Sequence, residues 1–294
     1  MISKQGMKRT ICYQGIPGAF SHIAAQGFFG NQHTFTGLST FYDIFKEVEK
    51  EKADYGVIPV ENSLAGSVVE NYDLLYTHNV SVTGEYYQPI RHNLLVRKTT
   101  QKEKPIALKE IQKVYSHPKA LEQCVQFFRK HRHMNPVVYN DTAEAARFIA
   151  STEERNIAAI ASQEAATLYD LDIHKVDIQD NPNNWTRFLI ITSLHRKQDI
   201  LAHDTMYKCS LMFTLPHKPG SLHSIIGIFA NAHLNLSKIE SRPIHGTTFE
   251  YVFCIDVEFH SHDYSLVRDL IQSCVEMTNE IKVLGYYRKA HIEK

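Results

Sequence analysis

The stretch Asn184-Trp185-Thr186-Arg187-Phe188-Leu189-Ile190-Ile191 ends a polar segment and opens an apolar run. The apolar residues 188–191 predict a buried strand. An amide, a hydroxyl and a guanidinium stand at the mouth of this strand, where groups held on a rigid scaffold usually meet a ligand. The stretch therefore predicts the closing strand of a sheet with a binding site at its edge.

Three other polar clusters stand where a strand pattern gives way to a helix pattern. They are Tyr13-Gln-Gly-Ile-Pro-Gly-Ala-Phe-Ser21, Pro59-Val-Glu-Asn-Ser63 and Ser116-His-Pro-Lys-Ala-Leu-Glu-Gln-Cys124. In α/β sheets, ligands bind at the carboxyl ends of the strands. We therefore expect the four segments to surround one site.

Short β-rich runs alternate with longer helical patterns along the first two thirds of the chain, which predicts a mostly parallel sheet flanked by helices. The predicted strands are residues 9–13, 55–60, 92–97, 113–115, 137–139, 157–161 and 188–191. The predicted helices are residues 21–30, 40–51, 67–77, 118–131, 142–151 and 162–169. We interpret residues 8–195 as a domain of two α/β lobes with a cleft between them, the second lobe covering about residues 90–165.

The pattern changes character after a charged linker at residues 194–206. The predicted strands here are residues 207–215, 236–239, 249–259 and 281–287, the helices are residues 221–232 and 265–278, and a turn falls at 245–247. The order βαββαβ predicts a small α+β domain at residues 207–288, with an antiparallel sheet and two helices on one face.

The composition limits the classes of partner. Of the 294 residues, 43% are hydrophobic and 22% charged, and Lys+Arg and Asp+Glu both total 32. A balanced charge gives no global field for a nucleic acid or a membrane surface. This charge balance favours a small molecule or another protein as the partner. We find neither a secretory signal nor an apolar run of membrane-spanning length, so we expect a cytoplasmic protein.

The sequence carries none of the short motifs that are typical of metal binding, nucleotide binding or acyl transfer. There is no H-E-x-x-H among the 17 histidines, no P-loop, no G-x-G-x-x-G and no G-x-S-x-G. The five cysteines are scattered without a C-x-x-C pair, which favours reduced, buried thiols. We therefore expect neither a metal nor a cofactor.

Each polar cluster also has a purely structural interpretation. Ser21 would cap a helix whose first amides welcome a carboxylate, or the turn before it is an ordinary strand-to-helix turn. Glu61 would be an acid or a fold-holding carboxylate, and Asn62 or Ser63 a site residue or a helix cap. Thr142 has the pattern of a cap followed by a helix.

Taken together and in this order, the four segments resemble the prephenate dehydratase family over roughly residues 10–191. Two positions depart from the family pattern, because Phe20 replaces a tyrosine and Lys119 replaces a glutamine. The C-terminal domain resembles an ACT domain through Gly220-Ser-Leu222 and Glu240-Ser-Arg-Pro243. Ser221 departs from the usual alanine.

The resemblance implies the fold: a two-lobed, periplasmic-binding-protein-like α/β catalytic domain plus an α+β ACT domain with the order βαββαβ. The implied reaction removes the ring hydroxyl and the ring carboxylate of prephenate as water and CO₂, giving phenylpyruvate. The implied catalytic residues are Thr186, Asn62, Glu61, Ser116 and Gln123. The implied substrate-binding residues are Arg187, Phe188, Ser21, Ser63, Thr142 and Asn184.

Thr186 would donate a hydrogen bond to the leaving hydroxyl or relay a proton. Arg187 would clamp a carboxylate, or it would form a fold-stabilising salt bridge at the strand mouth. The ACT resemblance implies feedback inhibition by L-phenylalanine. The implied effector-binding residues are Gly220, Ser221, Leu222, Asn235, Glu240, Ser241, Arg242 and Pro243, with Asn235 and Glu240 holding the two polar ends of the amino acid.

Two other functions stay open. Arogenate, which carries an ammonium where prephenate has a ketone, would be an alternative substrate, and a non-catalytic two-lobed ligand-binding sensor is a different class of protein. The first strand begins near Arg9, with no helical mutase pattern in front, so we expect a monofunctional enzyme. ACT domains often pair, which predicts a homodimer or homotetramer.

Overall fold

The computed structural model describes residues 8–99, 106–196, 205–244, 246 and 250–292. Its helices and strands, in chain order, are β1 Thr10–Gln14, α1 Phe20–Phe29, β2 Thr34–Leu38, α2 Phe41–Glu49, β3 Tyr55–Asn62, β4 Gly66–Ser67, α3 Val69–Thr77, β5 Val80–Pro89, β6 Asn93–Arg97, β7 Lys113–Ser116, α4 Pro118–Glu122, α5 Val125–Lys130, β8 Asn135–Val138, α6 Thr142–Ser151, β9 Ile157–Ala161, α7 Gln163–Leu168, β10 Leu171–Lys175, β11 Trp185–Ser193, β12 Met206–Thr214, α8 Ser221–Asn231, β13 Asn235–Pro243, β14 Tyr251–His260, α9 Tyr264–Val275 and β15 Glu280–Arg288.

Two sheets with helices form the two lobes. The first lobe has the strand order β2-β1-β3-β11-β5, with β4 paired to β3, and the second has the order β10-β6-β9-β7-β8. Both sheets are mixed: β1 runs parallel to β2 and β3, whereas β11 runs antiparallel to β3 and β5. The two α/β lobes are therefore as predicted, but the prediction of a mostly parallel sheet is wrong, because β11 returns from the second lobe and enters the first sheet in the opposite direction.

The apolar run that predicted the closing strand lies in the middle of the first sheet. Phe188, Leu189, Ile190 and Ile191 are all buried. The strand is longer than predicted and begins at Trp185, so Thr186 and Arg187 belong to the strand itself. Four strands, β2, β4, β5 and β10, were not predicted.

The helix predicted at residues 118–131 is broken into α4 and α5. The main-chain oxygen of Gln123 accepts a hydrogen bond from the amide of Asp180, and the amide of Gln126 donates to the carboxylate of Asp180. Both main-chain groups are thereby drawn out of the helical pattern, and the helix stops between them.

Two predicted helix caps are also wrong. Helix α1 begins after Ala19 without a side-chain cap, and Ser21 lies inside its first turn. Helix α6 is capped by Asp141, whose carboxylate accepts from the amides of Ala143 and Glu144, so Thr142 is the first helical residue.

The lobes meet along a seam formed by the turn before α1 and helix α7. The main-chain oxygen of Gly18 accepts a hydrogen bond of 3.0 Å from Ser162, and that of Pro17 accepts one of 2.7 Å from Tyr169. Ile16, from the same turn, packs against the apolar core of the second lobe. Gly18 has φ +91°, and a Cβ there would press on the backbone of Ala165.

The third sheet confirms the predicted βαββαβ order. Its strand order is β13-β14-β12-β15 and every neighbouring pair is antiparallel. One face packs on α8 and α9, and the other face packs on the first lobe. The junction is tight at Gly285, where a Cβ would overlap the main-chain oxygen of Val82.

Parts of three predictions lie outside the described residues: positions 197–204 of the predicted linker, positions 245 and 247 of the predicted turn, and position 249 at the start of the next predicted strand. The domain bounds 8–195 and 207–288 stay a prediction. Among the described residues, no helix combines the length and the apolar character that crossing a membrane would require.

Candidate active site

A cavity of about 460 Å³ lies between the two lobes, a size within the range of small-molecule sites. The first lobe contributes the ends of β1, β3 and β11 and the first turn of α1. The second lobe contributes α4 and the loop that leads into α6. Of the predicted site residues, those that line this cleft are Ser21, Asn62, Gln123, Thr142, Thr186 and Phe188.

Asn62 and Thr186 face each other across neighbouring strands at the bottom of the cleft. The amide oxygen of Asn62 accepts from the main-chain amides of Leu64 and Ala65, at 3.0 and 2.8 Å. Its two Nδ2 hydrogens are shared among three acceptors, the main-chain oxygen of Trp185 at 3.1 Å, Thr186 Oγ1 at 3.0 Å and Asn184 Oδ1 at 2.8 Å. The main chain thus fixes which way the amide points, and the Thr186 oxygen, already an acceptor, keeps its hydrogen for donation.

Asn184 joins this pair to the second lobe. It is 1% exposed, and its Oδ1 accepts from Asn62 Nδ2 at 2.8 Å. Its Nδ2 donates to Gln123 Oε1 at 2.8 Å. Asn184 does not line the cleft, so its predicted contact with substrate is replaced by a role in positioning Asn62 and Gln123.

Arg187 is on the other face of β11, contrary to the prediction that it clamps a substrate carboxylate. Successive side chains of a strand point to opposite faces, so Thr186 faces the cleft and Arg187 faces the third sheet. Its Nε donates to Glu85 at 2.8 Å, its Nη1 to Asp256 at 2.6 Å and its Nη2 to the Tyr287 hydroxyl at 3.0 Å. The salt-bridge alternative is the one that the structure contains.

Asp256 in this network is buried, and its surroundings favour the charged form of its carboxyl. Burial alone would raise the pKa of its carboxyl, but the Arg187 charge and a hydrogen bond from Ser210 outweigh burial and hold the pKa below its ordinary value. The network is therefore a buried set of charges that locks the third sheet onto β11.

Glu61 also faces away from the cleft. It is the register partner of Arg187 on β3, and its carboxylate lies 3.3 Å from Lys238 of the third sheet. The structure thus separates Glu61 from Asn62, its neighbour in sequence, and leaves it no place as an acid or an orienting group in the cleft.

Two serines predicted as site residues form hydrogen bonds with main-chain groups instead. Ser116 is fully buried and its Oγ donates to the main-chain oxygen of Ile160 at 2.6 Å. Ser63 donates to the main-chain oxygen of Asn183 and accepts from the amide of Trp185, which holds the start of β11. Neither side chain lines the cleft, contrary to the prediction.

Several titratable residues in the cleft were not predicted as site residues. Burial lowers the pKa of His117 and raises the pKa of Asp141. Lys119 lies at the rim, paired with Glu122 at 3.0 Å. The fourth residue is His92, which follows β5 and has no motif around it. His117 and Lys119 belong to the predicted polar cluster at residues 116–124, and Asp141 had the signal of a common cap, an aspartate before a helical pattern; His92 had neither.

The predicted effector residues are divided between the two ends of the third sheet. Gly220, with φ +87°, precedes α8, and Ser221 and Leu222 line a second cavity of about 550 Å³. Asn235 lies at the other end of the sheet, where its amide donates to Glu258. The prediction requires Asn235 and the Gly220 turn to form a single pocket. Within one chain they do not meet.

The Glu240-Ser-Arg-Pro243 motif lies on β13, and its side chains alternate between the first lobe and solvent. Ser67 Oγ of the first lobe donates to the Glu240 carboxylate at 2.5 Å, and Arg242 lies 3.7 Å from Asp73. Ser241 and Pro243 are exposed. Two residues of the motif thus contact the first lobe, and two face outward.

The fold and the cleft define a two-lobed α/β enzyme with a small βαββαβ regulatory domain. Residues 11–196 match the family model described as prephenate dehydratase, and residues 210–274 match that of the ACT domain. The chain belongs to the prephenate dehydratase family, and its C-terminal domain is an ACT domain. The predicted family, enzyme class and fold are confirmed.

Similar proteins include the bifunctional chorismate mutase/prephenate dehydratase of Aquifex aeolicus, 36% identical over 287 residues, covering 98% of this chain and 75% of the relative. Arogenate dehydratase/prephenate dehydratase 1 of Arabidopsis thaliana, a chloroplastic protein, is 37% identical over 294 residues, covering 95% and 72%.

Two solved structures are similar over nearly the whole chain. The prephenate dehydratase of Arthrobacter aurescens in complex with L-Phe has a TM-score of 0.83 and 27% identity, covering 95% of this chain and 90% of that one. The protein GqqA, described as a novel type of quorum quenching acylase, also has a TM-score of 0.83, with 28% identity and coverage of 96% and 98%.

Proposed function

We propose that the protein converts prephenate to phenylpyruvate and that L-phenylalanine binding to the ACT domain inhibits this reaction. The observation that carries the proposal is the Asn62–Thr186 pair in the cleft. It presents a hydroxyl whose oxygen is already held by an amide and whose hydrogen remains to be donated.

The reaction expels water and CO₂ from a ring that becomes aromatic, so the enzyme must hold a dianion and assist the departing hydroxyl. Thr186 is the hydrogen-bond donor for the leaving oxygen. The first amides of α1, which has no side-chain cap, line the cleft and suit a carboxylate. Gln123 offers its amide hydrogens beside them, because its oxygen already accepts from Asn184.

The cleft favours prephenate over arogenate in our proposal. Arogenate would need a carboxylate for its ammonium, and Asp141 is the acid that lines the cleft. Its oxygen Oδ1 is committed to two amides of α6, and burial raises its pKa, which opposes the charged form. Lys119 at the rim, by contrast, is a cation that suits a dianion.

Regulation by phenylalanine is supported by the contacts between the ACT sheet and the cleft strands. Lys238 contacts Glu61, whose neighbour is Asn62, and Asp256 contacts Arg187, whose neighbour is Thr186. A shift of the ACT sheet therefore reaches both strands that carry the cleft pair. The similar A. aurescens protein was solved with L-Phe.

We further propose that the protein is a homodimer or a homotetramer. Asn235 and the Gly220 turn lie at opposite ends of one ACT sheet. Pairing with a second copy of the chain would bring Asn235 of one copy beside the Gly220 turn of the other. Size-exclusion chromatography with light scattering, with and without phenylalanine, tests this directly. A strict monomer in both conditions would contradict it.

The first experiment measures phenylpyruvate formation from prephenate by purified protein, as absorbance in base. Arogenate is run in parallel, with its product phenylalanine measured by chromatography, and each substrate is assayed with and without added phenylalanine. Turnover of prephenate that phenylalanine suppresses supports the proposal. Faster turnover of arogenate would assign the other substrate. Binding of prephenate by folded protein without turnover of either compound would refute it in favour of a ligand-binding sensor.

A further inference from the structure

His92 is a buried cleft residue to which nothing above gives a role. It stands between β5 and β6, is 2% exposed and lines the cleft. Its ring meets the edge of Phe20 with a centroid distance of 5.8 Å. Its Nε2 lies 2.9 Å from Gln123 Oε1, while its Nδ1 is buried and has no hydrogen-bond partner among the described residues. Buried polar atoms without a partner are rare and call for an explanation.

The hydrogen-bond chain across the cleft fixes which nitrogen of His92 carries the hydrogen. Asn62 is oriented by main-chain amides at its oxygen and by a main-chain carbonyl at its nitrogen. Its Nδ2 therefore donates to Asn184, and the Nδ2 of Asn184 in turn donates to Gln123.

Gln123 consequently presents its oxygen Oε1 to His92, and the Nε2 of His92 must be the donor in their contact. A neutral imidazole carries one hydrogen, so the Nδ1 of His92 is a bare lone pair. The same chain that orients the Thr186 hydroxyl thus leaves the Nδ1 atom of His92, a residue that lines the cleft, without a hydrogen and without a partner among the described residues.

We propose that His92 is the proton carrier of the reaction: its Nδ1 takes up a proton when the dianionic substrate enters the cleft and delivers it to the departing ring hydroxyl. This inference rests on the proposed dehydratase function. Thr186, a poor acid, then supplies a hydrogen bond to the same oxygen rather than the proton itself.

The step balances. The carbon–oxygen bond to the ring hydroxyl breaks with its electron pair on oxygen, which takes the proton from Nδ1 and leaves as water. The bond to the ring carboxylate breaks with its electron pair entering the ring as the third double bond, and CO₂ leaves. The substrate dianion and one proton from solvent become a monoanion, CO₂ and water, and Nδ1 is bare again.

Charge and burial agree with this cycle. Burial lowers the pKa of His92 in the free protein, partly offset by the hydrogen bond to Gln123. The other titratable groups that line the cleft are His117, Lys119 and Asp141, and none of them contributes to this shift. Two carboxylates entering the cleft would favour the imidazolium, so proton uptake accompanies substrate binding.

The activity test uses two substitutions at one position. His92→Gln keeps a donor that can reach Gln123 but has no Nδ1, and we expect its kcat for the better substrate to fall about 100-fold or more. The kcat of the wild-type protein should fall as the pH rises through the pKa of the bound imidazolium, and this limb should vanish in His92→Gln. His92→Ala should regain activity with added imidazole, in proportion to the imidazolium fraction. His174→Gln, on β10 away from the cleft, is the matched control and should keep wild-type kinetics.

A second measurement does not depend on turnover. In protein labelled with ¹⁵N at histidine, the His92 signals, assigned by their loss in His92→Gln, should show a protonated Nε2 and a bare Nδ1 at neutral pH. Saturating Thr186→Ala protein with prephenate should protonate Nδ1.

The outcomes separate the two proposals. If the wild-type protein turned over neither prephenate nor arogenate, the proposed dehydratase function itself would be refuted. Wild-type turnover together with an unchanged rate and pH profile in His92→Gln would overturn the role of His92 alone. A bare Nε2, or an Nδ1 already protonated in the free protein at neutral pH, would also overturn it.

Discussion

Replacing Arg187 by methionine should destabilise the junction between the first lobe and the ACT sheet by about 3–5 kcal/mol, the range for removing one partner of a buried ion pair. Arg187 is 6% exposed and donates hydrogen bonds to Glu85, Asp256 and Tyr287. Methionine fills most of the volume but satisfies none of these groups.

The two carboxylates are left in different situations. Glu85 retains Lys208 at 3.1 Å and the amide of Ala290. Among the described residues, Asp256 retains the hydrogen bond from Ser210 and the charge of Lys208, which forms no ion pair with it within 4 Å. Most of the loss should therefore come from Asp256, and adding Asp256→Leu to Arg187→Met should recover at least about 1.5 kcal/mol, because an apolar pair leaves no buried charge.

The pH dependence has a definite sign. The pKa of Asp256 is lowered in the folded protein, so its contribution to stability is present above the ordinary aspartate pKa and is lost as the pH falls through the lowered value. Without Arg187, burial raises the pKa of Asp256, and its ionisation then opposes folding above the ordinary pKa. The difference between wild type and Arg187→Met should be largest near neutral pH and shrink toward about pH 4.

Urea denaturation followed by circular dichroism, at pH 7 and pH 5, measures both effects. A loss below about 1 kcal/mol for Arg187→Met, or a double variant as unstable as the sum of the single ones, would refute the reasoning that Asp256 is left as an unpaired buried charge.

Three other pairs of substitutions test the site and the junction. Thr186→Ala should lose about 100-fold or more in kcat, whereas Thr186→Ser should keep most of it; equal losses would show that the hydroxyl is not what matters. Glu61→Gln should change kcat less than about fivefold because the carboxylate faces Lys238, whereas Asn62→Ala should lose about 100-fold, and comparable losses would return Glu61 to the cleft. Gly285→Ala should cost about 1–3 kcal/mol in urea denaturation because its Cβ overlaps the backbone of Val82, while Gly227→Ala in α8, with open space around it, should be neutral or stabilising; a neutral Gly285→Ala would mean that the junction can give way.

The sequence was sufficient for the broad fold because apolar runs decide burial. Residues 157–161 and 188–191 were predicted as strands, and both are buried as expected. The C-terminal βαββαβ order followed from alternation in the same way. Strand β5 was not predicted because one of its faces packs against the ACT sheet, so polar residues such as Glu85 are buried there and interrupt the expected pattern.

The site was predicted only in part, because a motif in sequence does not say which face of a strand each residue occupies. Asn62 and Thr186 were placed correctly beside the cleft, but Glu61 and Arg187, their immediate neighbours, face the ACT sheet. A polar face of a strand is usually the face in solvent. Here the second polar face meets another domain, and no local pattern distinguishes the two cases.

His92 shows a different limit. Nothing in its neighbourhood resembles a functional motif, and its importance depends on a chain of amides contributed by residues 62, 123 and 184, far apart in sequence. Only the assembled hydrogen-bond network shows which of its nitrogens is free.

The seam between the lobes bears on the time that ligands stay bound. A cleft that opens by parting the lobes must break the hydrogen bonds from Ser162 and Tyr169 to the turn before α1 and expose Ile16. Two such bonds are worth about 2 kcal/mol together, which keeps the parted state at a few per cent of molecules. Product escape would then be timed by this remote seam as well as by the contacts in the cleft, so residues that never touch the ligand can govern its residence time.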